Sequence, residues 1–206
     1  TFGTFALGLA ARPFGGIIFG YLGDRYSRKK TMMLTMMMMS VPTMLIGLLP
    51  TYASIGIAAP ILLVTLRIIQ GVALGGEFGS SCVYLYESVQ KKYRGFFGSL
   101  SLTGVGCGLI LSSLTILLVE SFFTQQEIVA YIWRLPFFVS VVGSLVALYM
   151  RKNLMETDDF QTVKSADQLV DNPLFEMFKH HKKTILKLFA IFLTTQISFF
   201  VVFFYG

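Results

Sequence analysis

The chain has 206 residues, 54% of them hydrophobic and only 14% charged, where soluble domains carry about 25% charged residues. That balance excludes a disordered chain, a coiled coil and an ordinary soluble enzyme, and leaves an all-α polytopic membrane protein. The net charge of +6, from 17 basic and 11 acidic residues, points either to a nucleic-acid partner or to cationic loops retained on one side of a membrane, so its placement has to decide.

A spanning helix needs about 20 mostly apolar residues, and six segments qualify in chain order: 1–22, 31–49, 60–86, 96–119, 132–150 and 184–205. The first is glycine-rich (Gly8, Gly15, Gly16, Gly20) and carries Arg12 before Pro13. The loop 23–30 follows it with Arg25, Arg28, Lys29 and Lys30 beside a single carboxylate, Asp24. The second span is rich in methionine, which reads as packing or lipid-facing filler because no His or Cys accompanies it. Loop 50–59 has no basic residue; loop 87–95 has Lys91, Lys92 and Arg94; loop 120–131 again has none. Segment 151–183 holds six basic residues and is the one hydrophilic stretch. Within it, Asn172-Pro173 reads as a cap and first turn before Leu174, Phe175, Met177 and Phe178. The expectation there is a short amphipathic surface helix. His180 and His181 sit in a basic patch, as headgroup contacts or, alternatively, as a pH-sensing or metal-binding pair. Strict alternation of basic and non-basic loops places 23–30, 87–95 and 151–183 in the cytoplasm and removes the nucleic-acid reading. Cys82 and Cys107 lie in apolar segments, which argues against a disulfide framework. The chain starts at Thr1 and stops at Gly206 inside apolar runs, so we expect a fragment of a longer protein.

Charges at bilayer depth cost about 2.5–3.5 kcal/mol each on insertion scales and are functional candidates. Arg12, Arg67, Glu77 and Arg134 qualify. Arg134, just behind Trp133 and Tyr131, can snorkel to the outer interface. Arg12 can serve a substrate or brace a neighbouring helix. At 100° per residue, Arg67, Gln70, Glu77, Ser81 and Tyr84 fall within an arc of about 100° on the third span. A polar face of that kind predicts the wall of a water-accessible cavity; a structural Arg–Glu pair is the alternative. Gly71, Gly75 and Gly79 form an adjacent small-residue row, and Gly104 and Gly108 repeat the spacing on the fourth span, so both rows are expected to pack against other helices. Gly20 and Gly23 permit close approach and a sharp turn beside Asp24, Arg25, Arg28 and Lys29, a cluster able to lock a gate through ion pairs present in one conformation only.

These residues resemble the major facilitator superfamily. Gly20, Leu22, Asp24, Arg25, Arg28 and Lys29 match its loop pattern G-x-L-x-D-R-x-G-R-K, with Ser27 in place of the usual glycine. Arg67, Gln70, Gly71, Gly75, Gly76 and Glu77 match its R-x-x-Q-G-x-x-x-G-G-E pattern. The stretch from Arg12 to Gly16, Glu87 with Arg94-Gly95, Trp133 to Phe137 and the RKNLMETDDF after the fifth span also fit. Together they resemble the metabolite:proton symporters, which include proline/betaine, α-ketoglutarate, citrate and shikimate carriers.

The resemblance implies a partial major-facilitator fold. Residues 1–150 would be helices two to six of an N-terminal bundle, 151–183 the central cytoplasmic loop, and 184–206 the start of the C-terminal bundle (helix seven). Helix one and helices eight to twelve would be the partners that complete the carrier. The implied function is secondary active transport by alternating access, a small organic acid or zwitterionic osmolyte moving with H⁺ (Na⁺ as alternative) across the bacterial cytoplasmic membrane. Arg12, Arg67, Gln70, Glu77 and Tyr84 would bind substrate or couple the ion; Gly20, Gly23, Asp24, Arg25, Arg28 and Lys29 would form the cytoplasmic gate, supported by Glu87 and Arg94. No cofactor, metal site or enzymatic constellation is expected. A sugar porter of the same superfamily and a truncated, non-transporting relic of a carrier stand as alternatives.

Overall fold

A computed structural model describes residues 2–165 and 179–205, and all regular structure in them is helical. Two compact units result, Thr1–Leu169 and Val170–Gly206. The first contains α1 (Phe2–Arg25), α2 (Arg28–Leu48), α3 (Tyr52–Ile55), α4 (Ala58–Ser88), α5 (Arg94–Phe122), α6 (Gln125–Ala130), α7 (Leu135–Lys152) and α8 (Asp158–Ser165). The second contains α9 (Lys182–Tyr205), 24 residues long, at the position of the sixth predicted span. Five helical stretches in the first unit are long and apolar enough to cross a membrane, and they coincide with the first five predicted spans. The amphipathic helix expected from Asn172 to Phe178 lies outside the described residues.

The predicted loop 23–30 is shorter than expected, because α1 runs on to Arg25 and α2 starts at Arg28. Ser27 makes this turn. Its backbone is extended (φ −175°, ψ 128°), a conformation open to any residue, so the serine standing where the family pattern has glycine strains nothing. Its hydroxyl also accepts the Lys30 N–H at 3.0 Å, an N-cap for α2 that glycine would lack. On the opposite side, the turn after α3 does need glycine: Gly56 has φ +56°.

α4 is the hub, with α1 and α2 packed on it and α7 packed on α2. α1 and α4 touch backbone to backbone. A Cβ added at Gly71 would lie 2.1 Å from the Gly8 carbonyl oxygen, one at Gly75 would lie 2.0 Å from that of Arg12, and one at Gly15 would lie 1.8 Å from that of Val72. A Cβ added at Gly76 would lie 2.3 Å from the Phe19 ring. Small residues here are what allows the approach.

Three of the expected packing glycines behave otherwise. A Cβ at Gly79, Gly104 or Gly108 meets nothing within 4 Å. For the α5 pair the reason is that α5 buries none of its residues; Gly76, not Gly79, continues the contact row on α4. Small-residue spacing says where a helix can be approached closely, not that a neighbour is present. Along α5 and α7 large apolar side chains such as Ile110, Phe122 and Val142 stay exposed, as suits helices whose surroundings are hydrocarbon rather than water.

Candidate functional site: an arginine-lined cavity and an ion-pair network

The polar face predicted on α4 divides into two zones. Arg67 and Glu77 are ten residues apart, about 15 Å along a helix, and the structure gives them different partners.

The first zone is a cavity of about 200 Å³ lined by Gly8, Leu9 and Arg12 of α1, Met39 of α2, and Arg67, Gln70, Gly71 and Leu74 of α4. Three predicted site residues, Arg12, Arg67 and Gln70, thus meet. Arg67 donates from Nη1 to Gln70 Oε1 at 3.2 Å, and Gln70 donates from Nε2 to Thr43 Oγ1 on α2 at 2.7 Å. Among the described residues no carboxylate lines the cavity. Its chemistry is cationic and hydrogen-bonding on apolar walls, which suits a small solute bearing an anionic group.

The second zone lies at the end of the bundle where α1 turns into α2. Glu77 belongs here. Its carboxylate pairs with Arg151, at the end of α7, and accepts from Thr35 of α2 and, at 3.2 Å, from Ser81. Arg151 also donates to the Met32 carbonyl at 3.0 Å, so one ion pair ties α2, α4 and α7. Arg28 bridges Asp24 and Glu87, reaching Glu87 Oε1 at 3.0 Å, and Glu87 accepts the Thr157 hydroxyl at 2.7 Å. Glu156 accepts from the Ser27 hydroxyl and, at 3.2 Å, from the Lys29 N–H. The Lys29 ammonium reaches the Lys152 carbonyl at 2.6 Å. Tyr84, grouped with Arg67 on the predicted polar face, donates to the Met155 carbonyl at 2.7 Å. The chain after α7 therefore straps the ends of α2 and α4, and Phe160 of α8 is buried.

The remaining predicted gate residues play smaller parts. A Cβ added at Gly23 would lie 3.5 Å from the Arg28 guanidinium, whereas one at Gly20 would meet nothing within 4 Å. The Arg25 guanidinium lies 6.0 Å from the Tyr21 ring centroid. Arg94 does not join the ion pairs: its guanidinium stacks 4.0 Å over the Tyr86 ring and donates to the Val89 carbonyl at 3.3 Å. At the far end Arg134 lies 4.5 Å over Trp133 and donates to the Leu49 carbonyl at 3.2 Å. Among the described residues, no group of three or more His, Cys, Asp or Glu could hold a metal ion.

A family model described as sugar (and other) transporter matches residues 1–198. The chain belongs to that family, within the major facilitator superfamily. It is 39% identical to the shikimate transporter of Escherichia coli K12 over 98% of its own length and 46% of the relative's. It is 35% identical to the glycine betaine/proline/ectoine/pipecolic acid transporter OusA of Dickeya dadantii, over 96% of this chain and 41% of that one. The E. coli inner membrane metabolite transport protein YhjE is 38% identical over 96% of this chain and 45% of its own. The chain thus spans about half the length of the curated relatives it matches. Its fold is that of the inward-open xylose transporter XylE of E. coli, with a TM-score of 0.70 at 16% identity over 94% of this chain and 44% of XylE.

Arg151, Glu156, Thr157, Thr35 and Thr43 were not legible as site residues. Arg151, Glu156 and Thr157 fall in the RKNLMETDDF stretch that resembles the family, where no site role attached to them. The two threonines read as helix filler, although Thr35 is wholly buried.

Proposed function

We propose that the protein is a secondary active transporter of the bacterial cytoplasmic membrane, a proton-coupled symporter of a small organic acid or zwitterionic osmolyte working by alternating access. The observation that carries this reading is the cavity: two arginines and a glutamine converge with no acidic side chain among its lining residues. Two cations at membrane depth are costly unless an anion meets them, and a carboxylate-bearing solute supplies one. At about 200 Å³ the cavity is smaller than the roughly 300–1,000 Å³ of drug-sized pockets, in keeping with a metabolite. The basic end of the bundle faces the cytoplasm in this reading, and the ion-pair network there serves as the gate.

The test is uptake by cells expressing the complete reading frame that contains this chain, using labelled shikimate, proline, glycine betaine and xylose, with and without a protonophore. Accumulation of a carboxylate probe that collapses with protonophore, and with Arg67→Gln, is expected. A sugar-porter reading is favoured by the family to which the chain belongs and by its fold; xylose accumulation with no carboxylate uptake selects it.

A further inference from the structure

We propose that Thr43 is a positioning residue for the cavity: acting through Gln70, it fixes where Arg67 presents its guanidinium to the solute. The inference rests on reading the cavity as the solute site. Thr43 follows Pro42 on α2, one turn from the lining residue Met39. A hydroxyl has one hydrogen to give, and that of Thr43 goes to the Met39 carbonyl at 2.7 Å. Its oxygen is therefore left as an acceptor, and the Gln70 amide NH₂ fills that role at 2.7 Å. The amide orientation follows. With its nitrogen on Thr43, Gln70 turns its oxygen to Arg67 Nη1 at 3.2 Å. The flipped amide would set oxygen against oxygen at Thr43 and donor against donor at Arg67, so only one orientation is satisfied at both ends.

The relay crosses from α2 to α4, which separates Thr43 from an ordinary helix hydroxyl. Ser40, three residues earlier, also bonds back to its own helix, to the Met36 carbonyl at 2.8 Å, but reaches no other helix. Among the described residues, Gln70 is the one side chain bonded to the Arg67 guanidinium. Without the Thr43 anchor the amide is free to turn, and the guanidinium loses the contact that sets its direction.

The experiment is initial-rate uptake in proteoliposomes made with the protein from its complete reading frame. The probe is whichever of shikimate, proline, glycine betaine or xylose the wild type accumulates. Thr43→Val keeps the shape and removes the acceptor; Thr43→Ser keeps the acceptor and removes the methyl. We expect Thr43→Val to raise KM about tenfold, the equivalent of one hydrogen bond, with Vmax within about twofold. Thr43→Ser stays near wild type, and Thr43→Val adds nothing in a Gln70→Ala background. If Thr43→Val does not insert or fold, Thr43→Ala must reproduce the KM rise. Wild-type KM in the valine variant, a serine variant as impaired as valine, or effects that multiply in the Gln70→Ala background each overturn the proposal. Arg67→Gln separates the two levels. Unchanged uptake in that variant, or a wild type that accumulates none of the four probes, sinks the cavity reading and this proposal with it. Loss of uptake there beside a wild-type Thr43→Val sinks this proposal alone.

Discussion

Arg151→Gln removes one partner of the ion pair that ties α7 to α2 and α4. The Glu77 and Arg151 side chains are only 15% and 22% exposed, so this is not a screened surface pair. Breaking a fully buried pair by deleting one side costs about 3–5 kcal/mol, because the other charge is left uncompensated. The cost here is reduced for two reasons: Glu77 keeps the hydroxyls of Thr35 and Ser81, and neither side chain is fully buried. We therefore expect about 2–3 kcal/mol for Arg151→Gln. In a domain of 150–250 residues that lowers the unfolding midpoint by about 5–10 °C. Glu77→Gln strands the arginine instead, but Arg151 retains the Met32 carbonyl at 3.0 Å, and its long side chain can swing toward water. Its penalty should be the smaller, about 1–2 kcal/mol. The double variant leaves no unpaired charge, so it should recover more than half of the Arg151→Gln loss. The assay is thermal unfolding of purified protein followed by fluorescence-detected size exclusion. Additive losses in the double variant, or an Arg151→Gln protein as stable as wild type, would refute the pairing argument.

The glycines of α1 and α4 divide by what surrounds them. Gly71→Ala and Gly75→Ala drive a methyl to about 2 Å from a backbone carbonyl and should cost about 3 kcal/mol or more, while Gly79→Ala and Gly104→Ala, in open space, should gain about 0.5–1 kcal/mol of helix propensity; unfolding midpoints compare the four. Arg28 has two partners of unequal weight. Asp24 is 45% exposed and Glu87 13%, so Asp24→Asn should cost under about 0.5 kcal/mol and Glu87→Gln about 2 kcal/mol in the same assay, and equal losses would count against burial as the deciding factor. At the N-terminus of α6 the N–H and hydroxyl of the capping Thr124 both donate to the Glu127 carboxylate, at 2.9 and 2.7 Å, which holds its pKa below the ordinary value. A depressed carboxylate adds stability above its unfolded pKa and loses it as pH falls through the folded one, so amide protection in α6, corrected for intrinsic exchange, should drop below the usual carboxylate range, and Glu127→Gln should remove that pH dependence.

Span positions were legible because hydrophobic length is a one-dimensional property. Six apolar runs can be read without knowing what touches what, and the ends of the helices found differ from those of the predicted runs by only a few residues. The α1–α4 contact was half legible. Spacing identified Gly71 and Gly75 as approachable, but which small residues are approached depends on a neighbour, so Gly79 and Gly104 looked the same. The polar face of α4 reads as a single surface for a specific reason. A helical projection keeps angle and discards height, and Arg67 and Glu77 fall on one arc of about 100° while standing about 15 Å apart along the axis. Glu77 finds its cation in Arg151, 74 residues on, and nothing local announces such a pairing. Thr43 is hidden for a similar reason: a threonine in an apolar helix reads as filler until the acceptor side of its hydroxyl is seen facing Gln70.

Dividing α4 into two zones also constrains how the pieces can work together. The carboxylates Glu77 and Glu87 sit with cations from α2 and α7, and neither lines the cavity. The cavity cations Arg12 and Arg67 sit on the two helices that touch backbone to backbone through Gly8, Gly71 and Gly75. A Cβ added at Gly71 or Gly75 would strike the facing backbone of α1, so the two arginines stand on closely apposed helices. α2 is different. It meets α4 through side chains at two heights, Thr43 on Gln70 and Thr35 on Glu77, and such bonds can be made and broken. A shift of α2 against α4 would therefore be felt at the cavity and at the ion-pair network together. The element joining the two zones is on this argument α2, the methionine-rich helix whose composition looked least informative.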